Sequence, residues 1–257
     1  MKLWRDIKDF FLSFYYPKGQ YFLLSFPKTG RTWLMHMLNQ MKDLSTHHLK
    51  DEKNFIYNQH DNSEIIIENG HRNNPHDIFK FTNRLKYRRS KVIFLIRDPR
   101  DVIVSHFHQI TKRSKDPFIF KSITCFVKDE ILGFKRIIHY YNLWYKNRQV
   151  PDDFLLVKYE DLVQNGIEEL LRINIFLNLD VSRDNIEKVY FNSSADKMRQ
   201  KELSKKLKGF NFFGEERNYL KVRNAEIGGY KKELSEEDIA FCNKEMRNLN
   251  EYFKYII

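Results

Sequence analysis

Several short stretches of this chain are apolar almost without interruption. They are residues 20–26 (QYFLLSF), 64–68 (EIIIE), 91–96 (KVIFLI) and 154–157 (FLLV). A strand with one face in water alternates apolar and polar residues, whereas a strand covered on both faces reads as a continuous apolar run. Between these runs the apolar residues fall at helical spacing. In 31–42 they are Trp33, Leu34, Met37, Leu38 and Met41. Helical patterns recur from 101 to 108, 117 to 148, 161 to 177, 184 to 191 and 235 to 250. Buried strands alternating with helices predict an α/β fold with a central parallel sheet flanked by helices. No repeat and no Pro/Gly/Ser-rich linker interrupts the pattern, so residues 1–257 are read as one domain. Residues 3–16 carry an apolar stripe through Trp4, Ile7, Phe11 and Phe14. That stripe is expected to pack on the domain as core rather than on a membrane, because Asp6 and Asp9 lie among its basic residues.

Open parallel sheets bind ligands at the carboxyl ends of their strands. The loops that follow the strands, 27–32, 69–76, 97–101 and 158–161, are therefore where chemistry is expected. In the first, Pro27-Lys28-Thr29-Gly30-Arg31-Thr32-Trp33 runs from a strand through a glycine turn straight into a helix. A helix N-terminus presents free amides and partial positive charge to an anion, and Lys28, Thr29 and Thr32 add a cation and two hydroxyls. The loop is not a Walker P-loop, in which the lysine follows the second glycine. Its bland alternative is a strand–helix turn capped by Thr29. The third strand ends in Arg97-Asp98-Pro99-Arg100-Asp101, with Ser105 eight residues after Arg97. A helix begun near Pro99 brings Ser105 back toward the sheet, where arginine and hydroxyl together suit a phosphate.

The charge balance agrees. Lys and Arg number 45 against 34 Asp and Glu, a formal charge of +11, which favours an anionic partner: nucleic acid, acidic membrane or polyanionic small molecule. The densest basic patches are 84–91 (RLKYRRSK) and 201–208 (KELSKKLK). Two cysteines, Cys125 and Cys242, exclude a disulfide framework and a cysteine-based zinc cluster. No apolar run approaches the length of a membrane span and the N-terminal stretch is too charged for a secretory signal, so a cytoplasmic location is expected.

Taken together, the two loops resemble those of the sulfotransferases that use 3′-phosphoadenylyl sulfate (PAPS). PKTGRTW at 27–33 is similar to that family's 5′-phosphosulfate loop, usually PKSGTTW, and FLIRDPRDVIVS at 94–105 to its 3′-phosphate motif. VKYEDL at 157–162 resembles the family's Tyr-Glu-Asp-Leu/Met segment, and RNAEIGGYK at 223–231 its Arg-Lys-Gly-x-x-Gly-x-Trp-Lys segment. SSADKM at 193–198 is similar to a Thr-Ser-Phe-x-x-Met stretch, with Ala195 in place of the aromatic. The resemblance implies a P-loop NTPase-like fold and an enzyme that passes a sulfonate group from PAPS to an acceptor, leaving 3′,5′-adenosine bisphosphate (PAP), without a metal.

By the same resemblance, Lys28, Thr29, Gly30, Arg31, Thr32 and Trp33 hold the 5′ phosphosulfate, and Arg97, Ser105 and Arg223 the 3′ phosphate. Tyr159 sits beside the adenine, and Ser194 and Met198 line the nucleotide. Asn224 and Ala225 stand where the family has lysine and glycine, which removes one cation and puts a methyl group near the phosphate. Lys28 stabilises charge on the oxygen of the breaking bond. In-line transfer also needs a base, and a neutral histidine suits that task near pH 7. His71, directly after the 64–68 strand, is preferred, with His76 its competitor. The acceptor is read as a hydroxyl on a small molecule or glycan, and nucleic acid is not expected as a partner. Aromatics from Phe107 to Trp144 are read as core before they are read as acceptor pocket. The rival functions are a kinase or NTPase on a related fold and a non-catalytic anion- or nucleic-acid-binding module. Oligomeric state and acceptor identity stay open.

Overall fold

The computed structural model describes residues 7, 11, 19–46, 56–59, 67–68, 71–72, 84–112, 120–204 and 226–255; at 57–59, 67–68 and 71–72 only the backbone is considered. Its centre is a four-stranded sheet of β1 (Gln20–Ser25), β2 (Tyr57–Gln59), β5 (Ser90–Ile96) and β6 (Asp153–Lys158), in the order β2-β1-β5-β6. Every neighbouring pair is parallel. The register sets Ser25 against Leu95 and Ile96 against Lys158, so the chain leaves β1, β5 and β6 at the same end. From β1 the chain goes first to β2 on one side and then to β5 on the other. The crevice between β1 and β5 is therefore the topological switch point at which such sheets bind ligands.

Each face of the sheet is covered. Phe22, Leu24, Val92, Phe94 and Ile96 point to one side. There they meet α2 (Pro99–Lys112), α3 (Ile123–Val127), α4 (Phe134–Asn147) and α9 (Glu236–Met246). Leu23, Ile93, Leu95 and Val157 point to the other side. They are covered by α1 (Arg31–Leu44), α5 (Tyr159–Gln164), α6 (Gly166–Phe176) and α7 (Arg183–Asn192). Helix α1 shows why: Leu34, Met37, Leu38 and Met41 recur at i, i+3, i+4 and i+7 and all four are buried. A further helix, α8 (Ala195–Leu203), follows α7.

Three of the four expected strands lie in this sheet; of the expected second one, 64–68, only Ile67 and Glu68 are described, and they lie outside it. Residues 67–68 form β3 (Ile67–Glu68), which pairs antiparallel with β4 (His71–Arg72) in a separate two-stranded piece. Two paired strands separated by Asn69-Gly70 are the sequence mark of a tight hairpin. The strand beside β1 is instead the three-residue Tyr57–Gln59 at the sheet edge. His71 thus belongs to a hairpin strand, opposite Glu68, and not to a loop leaving the main sheet.

Arg84, in the basic 84–91 stretch, is buried with its guanidinium 5.9 Å from the Trp144 ring. One more expectation changes. In the N-terminal segment only Ile7 and Phe11 are described; both are helical but exposed, at 45% and 66%, rather than packed as core. Spacing reveals that a helix is amphipathic, not what covers its apolar face.

The aromatic layer under β5 carries much of the packing. Phe94 is fully buried, with ring centroids of Trp144 at 5.5 Å, Tyr140 at 5.8 Å, and Tyr141 and Phe154 at 6.0 Å. Removing that ring leaves a cavity that four rings cannot collapse into together. Phe94→Ala is expected to cost about 3–5 kcal/mol of unfolding free energy, read from urea titration.

Candidate functional site

The turn after β1 combines two backbone positions that favour glycine with one polar contact. Lys28 has φ 74° and Gly30 φ 96°. The Thr29 hydroxyl is buried and donates back to the Phe26 carbonyl at 3.0 Å. It therefore does not cap α1. The N-cap is Gly30, and no side chain accepts from the first amides of the helix. The turn thus offers backbone N–H groups at a helix N-terminus, as an anion site requires. A left-handed lysine is strained by roughly 1–2 kcal/mol, and strain of this kind is kept where the surrounding structure demands it. Lys28 Nζ reaches α2, where it donates to Gln109 Oε1 at 3.4 Å. Thr32 and Arg31 lie in the first turn of α1, Thr32 exposed and Arg31 half-buried.

Tyr159 opens α5 directly after β6 and connects this turn to Arg97. A Cβ placed on Gly30 would lie 2.6 Å from Tyr159 Cδ2, so the ring rests against the bare glycine. The Arg97 guanidinium lies 4.4 Å from the centroid of the same ring. Trp33 approaches the same ring edge-on at 5.7 Å. Burial holds the Tyr159 hydroxyl above its ordinary pKa, so it stays neutral beside the cation. Trp33 also donates its indole N–H to the Ser193 carbonyl at 2.6 Å, and Gln40 donates to the Ser193 hydroxyl at 3.0 Å. Residues 193–198 are thereby drawn to the same place. Ser194 is the N-cap of α8, and Met198 is buried within it.

Arg97 is held from several directions. Its Nη2 donates to the Glu226 carbonyl at 2.8 Å and lies 3.5 Å from Asp101 Oδ2. Its Nε is buried and has no hydrogen-bond acceptor among the described residues. Asp101 in turn accepts from the backbone N–H of Gly228 at 2.8 Å and of Tyr230 at 3.0 Å. Desolvation raises the Asp101 pKa, while Arg97 and those two amides oppose the rise. The segment from Glu226 to Tyr230 is therefore pinned beside Arg97. Arg223, Asn224 and Ala225 immediately precede it and lie outside the described residues, as does His76. Ser105 is half-buried on α2, two turns beyond Arg97.

Local spacing gave no warning of Asp101, Gln109, Tyr141 or Glu160 as parts of the site. Tyr141, from α4, accepts from the Arg97 backbone N–H at 3.1 Å and donates to the Arg97 carbonyl at 2.8 Å. The only hint in the sequence was that Asp101 and Glu160 sit inside the motifs themselves. His106, next to Ser105, is fully enclosed between Phe26 and Phe126. Burial, followed by the charges of Arg136 and Lys28, lowers its pKa to about 3, so it is neutral near pH 7. Of the aromatics considered for an acceptor pocket, Phe126, Phe134, Tyr140, Tyr141 and Trp144 are buried core. Phe107 and Phe120 pack at its margin, and Phe118 lies outside the described residues. Among the described residues no group of three or more His, Cys, Asp or Glu is arranged to hold a metal, and no helix is long and apolar enough to cross a membrane.

A family model described as the sulfotransferase domain matches residues 18–253. Sulfotransferase 2A6 of Rattus norvegicus is 25% identical over 228 residues, covering 79% of this chain and 80% of its own. The amine sulfotransferase of Oryctolagus cuniculus is 22% identical over 244 residues, 89% of this chain and 73% of its own. The 3-beta-hydroxysteroid sulfotransferase of Cavia porcellus is 23% identical over 214 residues, 79% of this chain and 73% of its own. Among solved structures, mouse sulfotransferase SULT7A1 complexed with PAP superposes with TM-score 0.61 at 18% identity, covering 91% of this chain and 86% of that one. Retinol dehydratase in complex with androsterone and inactive cofactor PAP gives TM-score 0.62 at 15% identity, covering 94% and 84%.

The contact between Gly30 and Tyr159 has a direct test. Gly19 also has positive φ, at 82°, but a Cβ there meets nothing within 4 Å. Gly19→Ala is expected to cost only backbone strain of roughly 1–2 kcal/mol. Gly30→Ala adds the displacement of a buried ring and should cost at least about 1 kcal/mol more in denaturant titration. Equal costs would show that Tyr159 does not lean on Gly30.

Proposed function

This chain belongs to the sulfotransferase domain family, and is a PAPS-dependent sulfotransferase; from that premise we propose which residues hold the donor, which prepare the acceptor, and what the acceptor is. The observation that carries the reading is that one ring, Tyr159, touches both Gly30 and the Arg97 guanidinium, and so ties the turn after β1 to the turn after β5. The donor's chemistry is an activated sulfonate on a 5′ phosphate, with a second phosphate at the 3′ position.

The described side chains fit such a molecule. The uncapped amides at Gly30 and the first turn of α1, with Lys28, Thr29, Arg31 and Thr32 around them, receive the 5′ end. Arg97, with its buried Nε still to be satisfied, and Ser105 receive the 3′ phosphate. Arg223, Asn224 and Ala225 complete that grip. Tyr159, with Trp33 edge-on to it, sits beside the adenine, and Ser194 and Met198 close the side reached through Ser193. Lys28 donates to the oxygen on which charge builds as the sulfonate leaves. The Gln109 carbonyl holds its ammonium ready at the mouth of the turn.

His71 takes the acceptor proton. What supports this is its order in the chain, between the first turn and Arg97, and the titration range of imidazole. His106 is a poor rival, since its ring is enclosed between Phe26 and Phe126 and burial, with the charges of Arg136 and Lys28, makes it a weak base. The acceptor is a hydroxyl on a small molecule, a class represented by the hydroxysteroid sulfotransferase among the relatives. A screen with radiolabelled donor across alcohols, phenols, sugars and amines decides between hydroxyl and amine acceptors.

Two outcomes follow for donor and base. PAP should raise the melting temperature more than ATP at equal concentration, because only PAP carries the 3′ phosphate that Arg97 and Ser105 receive; equal shifts would remove that assignment. His71→Ala should lower turnover about 10²–10⁴-fold while PAP binding is nearly unchanged. If His76→Ala is inactive and His71→Ala is active, the base is His76.

A further inference from the structure

Arg97 stands on the turn between β5 and α2, and its direction is set by the two peptide groups on either side of it. Tyr141 satisfies the N–H and carbonyl of Arg97 itself. The next N–H, that of Asp98, donates to Glu160 Oε1 at 2.8 Å. The other oxygen of Glu160 accepts from the Tyr255 hydroxyl at 2.9 Å. The Asp98 carboxylate takes no part in this chain, since it is engaged by the guanidinium and backbone N–H of Arg100.

Glu160 is a buried carboxylate, and burial pushes its pKa up. The N–H of Asp98, its own backbone N–H and the Tyr255 hydroxyl work against that rise, while the nearby Asp98 charge adds to it. The hydroxyl is itself kept protonated by burial and by the same carboxylate. The short 3-10 turn Glu251–Phe253 places Tyr255. Phe253 is buried, with Tyr141 at 5.7 Å and Tyr145 at 6.4 Å between ring centroids. Lys158 Nζ lies 4.8 Å from the centroid of the Tyr255 ring.

We infer that Tyr255, near the carboxyl end of the chain, is a positioning residue for Arg97. Its hydroxyl fixes Glu160, Glu160 fixes the Asp98 peptide, and that peptide sets where the guanidinium points. Tyr255 makes no hydrogen bond to the turn after β1 among the described residues, so the effect falls on the 3′-phosphate end of the donor and not on its 5′ end. This inference rests on the reading of Arg97 as a 3′-phosphate ligand.

The test compares two nucleotides by calorimetry: PAP, and adenosine 5′-phosphosulfate, which lacks the 3′ phosphate. Tyr255→Phe keeps the ring and removes only the hydroxyl. It should weaken PAP about three- to tenfold, the worth of one hydrogen bond, and change adenosine 5′-phosphosulfate less than about twofold. In turnover, KM for PAPS should rise by the same factor with kcat largely kept. A general loosening of the fold would weaken both nucleotides together, and that result overturns the inference. So does unchanged PAP binding. If Tyr255→Phe does not fold, Glu160→Gln, which keeps the shape and removes the charge, should give the same PAP-selective loss. Failure of the underlying reading looks different: the unaltered protein would bind the two nucleotides equally, and the inference would fall with it.

Discussion

The ring of Tyr159 is the surface on which the turns after β1 and β5 meet. It leans on Gly30 at a distance that admits no Cβ, has the Arg97 guanidinium 4.4 Å from its centroid, and takes the edge of Trp33. Each contact restricts a different element: the turn after β1, the turn after β5 and the first turn of α1. A cation over an aromatic face that is shielded from water is held more firmly than one at the surface. The strained backbone at Lys28 and Gly30 is intelligible in that setting, because the turn has to pass under a bulky ring and still enter a helix.

Charge near this ring is arranged by committing carboxylates to backbone donors. Asp101 accepts two amides from the segment Glu226–Tyr230, and Glu160 accepts the amide of Asp98 and the hydroxyl of Tyr255. These acids satisfy peptide groups that burial would otherwise leave without partners. The guanidinium of Arg97 is correspondingly not saturated by carboxylate, and its buried Nε has no acceptor among the described residues. The lowered pKa of His106 reports the same field from inside the fold: burial comes first, and then Arg136 and Lys28 disfavour a third positive charge.

A sulfonate donor with phosphates at both ends of its ribose needs cations and amides at two separated places. The sheet topology supplies the separation. The turn after β1 and the turn after β5 flank the switch point, and neighbouring parallel strands hold them at a fixed spacing. Catalysis by positioned charge then requires no metal from the protein.

The amino-acid sequence by itself determined the α/β layering, the glycine turn into α1, and the family. Strands covered on both faces must be apolar throughout, as 20–26, 91–96 and 154–157 are, and helices that bury one face must repeat every three or four residues. A strand of three residues, Tyr57–Gln59, is too short to show an apolar run, and of the expected strand at 64–68 the described residues, Ile67 and Glu68, pair with His71–Arg72 outside the main sheet. Only the tertiary structure decided what touches what at the site. Trp33 meets Ser193 across a separation of 160 residues, and Glu160 meets Tyr255 across 95. Local spacing encodes which face of an element is apolar. Which distant side chain completes a buried hydrogen bond depends on how the finished layers pack, and that is expressed only when the chain is folded.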